Sequence, residues 1–171
     1  MIDLKKKIYI FGCVMWDIIG KPAGPMSLGK DCDGVINEGP GGVAFNIAVG
    51  LAKVLSKENF EINLISAIGK NEKSLAILES LKKNCISTKY LLTEGTQNDQ
   101  YMSIETQNGE IFGSVNSSTV FLSNQIHIRK SFSNICADHR KNVTNAILIF
   151  DGNCPREFLD YVKAKACKKK I

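Results

Sequence analysis

No stretch of the sequence stays apolar for the ~20 residues that a membrane-crossing helix requires. The longest such run, Ile8 to Trp16, is closed by Asp17. Histidine is scarce, with His127 and His139 alone, and the six cysteines (13, 32, 85, 136, 154, 167) form no C-x-x-C pair. No zinc-ribbon, dithiol-redox or other metal site is therefore expected, and the thiols read as reduced and structural. Only 4 prolines stand against 14 glycines, with 44% hydrophobic and 23% charged residues, which leaves collagen-like, mucin-like and disordered readings without support. A chain of 171 residues is long enough for one packed domain that buries ~70% of its unfolded surface.

The net charge of +5 carries little information about partners, because it comes from the chain ends, Lys5 to Lys7 and Lys163 to Lys170. Between them acidic residues outnumber basic ones, so no basic face and no nucleic-acid partner are expected. Lys5 to Lys7 before an apolar run imitates a secretory leader, yet Asp17 and Lys21 interrupt it before any small-x-small site. The reading is a cytoplasmic protein with no membrane partner.

Ile8 to Val14 is a continuous β-favouring run, suited to a strand buried on both faces of a parallel sheet. Residues 20–34 read as a loop, 35–38 as a brief strand and Gly39 to Gly42 as a glycine turn. Val43, Ala44, Ile47, Ala48, Leu51, Ala52 and Leu55 then recur with helical period. Ile62 to Ile68 reads as a second buried strand, Ser74 to Lys83 as a second helix, and 146–150 as a further strand followed by a helix from Pro155 to about Lys165. Residues 101–106 and 110–115 flank Asn108-Gly109 and predict a β-hairpin. Residues 116–145 are Ser/Asn-rich with weak helical patterning, and little is assigned there. The sum is an α/β fold, an incomplete doubly wound parallel sheet in one domain spanning 1–171, with a small antiparallel β flap formed by segments 17–38 and 99–115. Its last strand leaves an apolar edge that favours association.

Three glycine stretches imitate phosphate sites. Gly24 to Asp31 fits G-x-x-x-x-G-K but has Asp31 where Ser or Thr binds Mg²⁺. Gly39 to Ala44 fits the dinucleotide pattern G-x-G-x-x-A and opens a helix, with Glu58 or Glu61 at the acidic position, but does not follow the first buried strand. A dinucleotide-binding domain thus stays a distant alternative. Gly39, Gly41 and Gly42 would let a ligand approach bare amides at a helix N-terminus, with Asn46 one turn in. Asp17 follows the first strand, where open α/β sheets place ligands, and a carboxylate there suits paired hydroxyls.

Gly12-x-x-x-x-Asp17-Ile-Ile-Gly20, then Pro40-Gly-Gly-Val-Ala-x-Asn46, then Ala67-Ile-Gly69, Tyr101-Met-Ser-Ile, Asn108-Gly109 and Asp151-Gly-Asn153, resembles the ribokinase-like (PfkB) carbohydrate and nucleoside kinases, nearest to the pseudouridine-kinase branch. The resemblance implies a ribokinase-like fold. It also implies substrate contacts from Asp17, Gly41, Gly42, Asn46, Tyr101, Asp151 and Asn153, and a flap that closes on a sugar or nucleoside and serves as a homodimer interface. ATP and Mg²⁺ are implied too. Met15 stands where many members have Asn, which leaves the sugar open. Nothing in residues 1–171 matches the family's Asn-x-x-Glu and Asp-Thr-x-Gly-Ala-Gly-Asp elements, which handle the nucleotide and supply the catalytic base. No catalytic residue is assigned. The expectation is the amino-terminal, sugar-binding part of an ATP-dependent kinase, inactive alone; the alternative is a non-catalytic sugar- or nucleoside-binding or assembly module.

Overall fold

The computed structural model describes residues 5–142 and 146–167, so the lysines at 168–170 lie outside the described residues. Strands β1 (Lys6–Phe11), β4 (Phe60–Ile68), β5 (Ser87–Thr93) and β8 (Ala146–Phe150) form one parallel sheet in the order β5-β4-β1-β8. Its central strands carry apolar residues at successive positions because both faces are covered. Ile8 and Ile10 of β1, with Ile62 and Leu64 of β4, pack under helices α1 (Val43–Val54) and α2 (Glu72–Lys83). Tyr9, Phe11 and Ile65 face the opposite way, onto α3 (Thr119–Ser123), α4 (Gln125–Asn142) and α5 (Arg156–Cys167). Helices on both faces make the sheet doubly wound, as expected.

The body also holds elements that the sequence reading leaves unassigned. Residues 116–145 hold the 18-residue α4, which a short apolar stripe seats on the sheet: Ile128, Phe132 and Ile135 are all buried. Strand β5 pairs with β4 at the sheet edge, where its half-buried side chains show no clean alternation. Helix α2 starts on a capping box in which Asn71 accepts from the Ser74 amide at 3.1 Å and its own amide donates to Ser74 Oγ at 3.2 Å.

A second sheet, the lid, has the order β3-β2-β6-β7, formed by β2 (Met15–Pro22), β3 (Gly34–Gly41), β6 (Gln100–Glu105) and β7 (Ile111–Ser117). The flap is not purely antiparallel: β2 pairs antiparallel with β3 but parallel with β6, and β6 pairs antiparallel with β7. The Asn108-Gly109 turn sets the last pairing, with Gly109 donating to the Thr106 carbonyl at 3.0 Å. β2 follows β1 after the bend at Gly12 to Val14 and belongs to the second sheet. Gly39 to Gly41, read as a turn, end β3 instead, and α1 begins at once behind Gly42.

One cluster ties the lid to the body. Trp16 Nε1 donates to Glu38 Oε2 at 2.7 Å, and Lys73 at the start of α2 sits 3.7 Å from the same oxygen and 5.4 Å from the Trp16 ring centroid. Both charged side chains are partly solvated, so a Lys73→Ala variant is expected to lose only about 1 kcal/mol. Thermal melts at low and high salt check this: the gap from the parent should narrow as salt rises.

Candidate functional site

The ends of β1 and β8, the start of α1 and the root of the lid meet at the Gly12 to Val14 bend. Hydrogen bonds from several elements fix it. Gly12 donates to the Ile65 carbonyl at 3.3 Å, the Cys13 carbonyl accepts from Ala44 of α1 at 3.3 Å, and the Trp16 amide donates to Asp99 O at 2.8 Å. The Cys13 amide donates to Asp151 Oδ2 at 2.8 Å.

Asp17 is the third residue of β2. Its carboxylate lies against Gly41, where any side chain would overlap it, and accepts the Gly42 amide. Its second oxygen, Oδ1, is sheltered from solvent and has no hydrogen-bond donor among the described residues. Burial pushes the Asp17 pKa above the ordinary carboxylate value, and the Gly42 amide only partly opposes that. Gly42 has φ +89°, and a Cβ there would come within 2.6 Å of the Cys13 carbonyl oxygen and 2.8 Å of the Met15 amide. Glycine is thus required for α1 to begin this close to the bend. The helix start carries neither a side-chain cap of its own nor an acidic residue in its first turn, so the Asp17 carboxylate on the Gly42 amide is the acidic group set against its positive end. Asn46, in that first turn, is exposed.

Tyr101 of β6 stands beside Asp17 in register and packs partly on the aromatic cluster beneath. Asp151 closes β8 and is buried. Both its oxygens are engaged by backbone, Oδ2 by Cys13 and Oδ1 by the amide of Asn153 at 2.8 Å. Its evident work is to hold the bend that carries Asp17, and exposed Asn153 sits in the turn behind it. Cys13 and Cys154 flank this carboxylate. Burial pushes both thiols up, Cys154 to about 12, so they stay protonated.

Asp99 is a site-building residue that the pattern of the sequence did not single out. Buried before β6, it accepts the amides of Val120 at 2.7 Å and Phe121 at 2.9 Å, while its carbonyl holds β2. Its neighbour Asn98 accepts the Gly69 amide at 2.8 Å and donates to Asn71 at 2.8 Å. An Asn-Asp pair immediately before a hairpin strand was the available signal.

Among the described residues no three His, Cys, Asp or Glu side chains group to hold a metal. The Gly24 to Lys30 stretch lies in the exposed loop joining two lid strands, not between a strand and a helix. The dinucleotide-like Gly39 to Ala44 stretch does open α1, but it follows β3 of the lid and not a strand of the parallel sheet.

The model of the pfkB family carbohydrate kinases matches residues 5–138, from β1 through most of α4. The chain belongs to the PfkB family of carbohydrate kinases. That match takes in Asp17, Gly41, Gly42, Asn46 and Tyr101 and stops before Asp151. No curated protein matches the chain. Among solved structures, a ribokinase from Giardia lamblia is similar with a TM-score of 0.74 and 17% identity, over 97% of this chain and 49% of that one. A carbohydrate kinase from Agrobacterium tumefaciens gives 0.62 and 20%, over 96% and 52%. The Arabidopsis thaliana ribokinase complexed with ribose and ATP gives 0.54 and 14%, over 67% and 36%. These likenesses establish a ribokinase-like fold, and this PfkB-family chain spans about half the length, or less, of the structures it matches.

Proposed function

We propose that these 171 residues form the sugar-binding part of an ATP-dependent kinase that phosphorylates a hydroxyl of a ribosyl compound, with a pseudouridine-like nucleoside as substrate. The observation that carries the reading is the sheltered, undonated Oδ1 of Asp17 beside the uncapped start of α1. A carboxylate oxygen without a donor is costly in a sheltered position, and a sugar hydroxyl supplies the missing proton. The hydroxyl oxygens in turn accept from amides at the helix start and from Asn46. Gly41 leaves room for the Asp17 carboxylate, and Gly42 lets the helix start lie close to it.

Phosphoryl transfer depends on positioned charge and a base at the attacking hydroxyl. The residues that would supply these find no counterpart in the sequence or at the site, so the chain by itself is expected to bind sugar without turning over ATP. Calorimetric titration with ribose, uridine, pseudouridine, ATP and NAD tests both parts. Binding of the pentosyl compounds supports the reading; binding of NAD without nucleoside overturns it, and ATP turnover by the 171-residue chain overturns the second part.

The alternative, a non-catalytic binding or assembly module, is favoured by the outer face of the lid. Ile18, Ile36, Met102, Ile104 and Val115 line that face across all four strands, and Ile36 and Val115 are 76% and 66% exposed. A second copy is the occupant proposed, because an exposed apolar face that runs across all four strands fits a partner that buries its own equivalent. Met102→Asp is expected to move the protein from dimer to monomer in sedimentation velocity; an unchanged dimer rejects this interface. The protonated, buried thiols of Cys13 and Cys154 support a cytoplasmic setting. Among the described residues no helix is long and apolar enough to cross a membrane.

A further inference from the structure

The face of the lid that carries Asp17 continues past it. Asp17 of β2 is bridged to Tyr101 of β6, and Tyr101 is bridged to Asn116 of β7. Bridged partners project from the same face of a sheet, so the three side chains form one row. The pattern is a carboxylate, then a phenol ring, then a carboxamide, spaced by the ~4.8 Å between strands. Asn116 is exposed, and its side chain has no hydrogen bond among the described residues. The next row on this face is Ile19, Ser103 and Ser114, polar on β6 and β7, whereas the neighbours turned the other way on those strands, Met102 and Val115, are apolar. The polar face of β7 is therefore a continuation of the Asp17 face and not a random solvated edge.

We propose that Asn116 is a specificity-determining residue that reads the polar edge of a planar group attached to the pentose, with the Tyr101 ring as the surface between sugar and edge. This rests on the sugar-site reading above. The row from Asp17 to Asn116 covers two strand spacings, about 10 Å, which exceeds a pentose and suits a pentose extended by a ring. A carboxamide offers one donor pair and one acceptor on the same group, complementary to a ring edge that presents an acceptor beside a donor, as the –CO–NH– edge of a pyrimidine dione does. An aromatic side chain favours a flat neighbour over a saturated one. A free pentose gripped by Asp17 does not span the two strand spacings to Asn116, so the contribution of Asn116 is confined to the substituent.

The test is calorimetry on the protein with ribose and with pseudouridine, comparing the parent, Asn116→Leu and Asn116→Asp. Leu keeps the approximate volume without hydrogen bonding, and Asp keeps an acceptor but loses the donors; the exposed position accommodates both. The preference for nucleoside over ribose is expected to fall about tenfold in Asn116→Leu, the scale of one or two lost hydrogen bonds, and to fall in Asn116→Asp as well. An unchanged preference, or equal loss for both ligands, overturns the assignment. Asp17→Asn separates the two readings. If it removes binding of both ligands while Asn116→Leu leaves the preference intact, the sugar site stands and the Asn116 role fails. If the parent binds neither ligand, both fail.

Discussion

Asp17→Asn is expected to weaken binding of any pentosyl ligand by about 100-fold or more, because charge-assisted hydrogen bonds of about 1.5–3 kcal/mol each are removed together. The same change should not destabilise the fold. Asparagine keeps an oxygen for the Gly42 amide and deletes a charge held in a sheltered position. Melting temperature at neutral pH is expected to equal or exceed that of the parent, since burial raises the pKa of Asp17 and its ionised form opposes folding there. The pH dependence has a definite sign. With the native pKa above the unfolded one, the native state binds the proton more readily, so this group's contribution to stability rises as pH falls through the window between the two values. Ligand binding runs the other way, fading as Asp17 is protonated, from a higher pH than an ordinary carboxylate would give. Calorimetry and melts on both proteins across acid pH check the pair of trends. A variant that binds ribose like the parent removes Asp17 from the site.

The second large effect concerns the layer beneath the site. Phe132 of α4 packs edge-on against Phe11 and Phe158, with ring centroids 6.0 and 6.2 Å away, and Phe11 stacks on Phe150 at 4.9 Å. These rings join β1, β8, α4 and α5 in one cluster. Phe132→Ala leaves a cavity at its centre and is expected to cost about 3–5 kcal/mol, a large share of the roughly 5–15 kcal/mol that stabilises a domain. Urea unfolding should show a midpoint shift of that size, and Phe132→Leu a smaller one. If Phe132→Ala unfolds at the parent's midpoint, α4 does not pack as described.

How far the sequence revealed these features depended on how local their causes are. β1, β4 and β8 were legible as unbroken apolar runs, and α1 as a stripe of period 3.6. The β6–β7 hairpin announced itself through Asn108-Gly109. Helix α4 did not, because Ile128, Phe132 and Ile135 are scattered among Ser, Asn, Arg and Lys, and only the tertiary packing shows that they share a face. The break between β1 and β2 was hidden too. Val14, Met15 and Trp16 are as apolar as the strand before them, so the chain leaves one sheet for another without a turn signature.

At the site, Asp17, Gly41, Gly42 and Asn46 could be named as separate anchors from residue type and place. The contact between the Asp17 carboxylate and Gly41 requires the β2–β3 register, in which Met15 faces Gly41. The row from Asp17 through Tyr101 to Asn116 requires a parallel pairing between segments more than eighty residues apart. Asp151 shows the same limit from the other side. Its identity was readable as a polar residue at a strand end, but its commitment of both oxygens to the Cys13 and Asn153 amides was not.

That long-range grip has a consequence for the order in which the protein acquires its shape. Asp151 reaches back 138 positions to secure the bend from which Asp17 projects. During synthesis the sugar-gripping residue leaves the ribosome early, but its final orientation waits until β8 and the Asp151 behind it have emerged and docked. Closing so long a loop is slow relative to forming local helices. Ligand-binding competence should accordingly appear late in refolding, after most helical signal has returned.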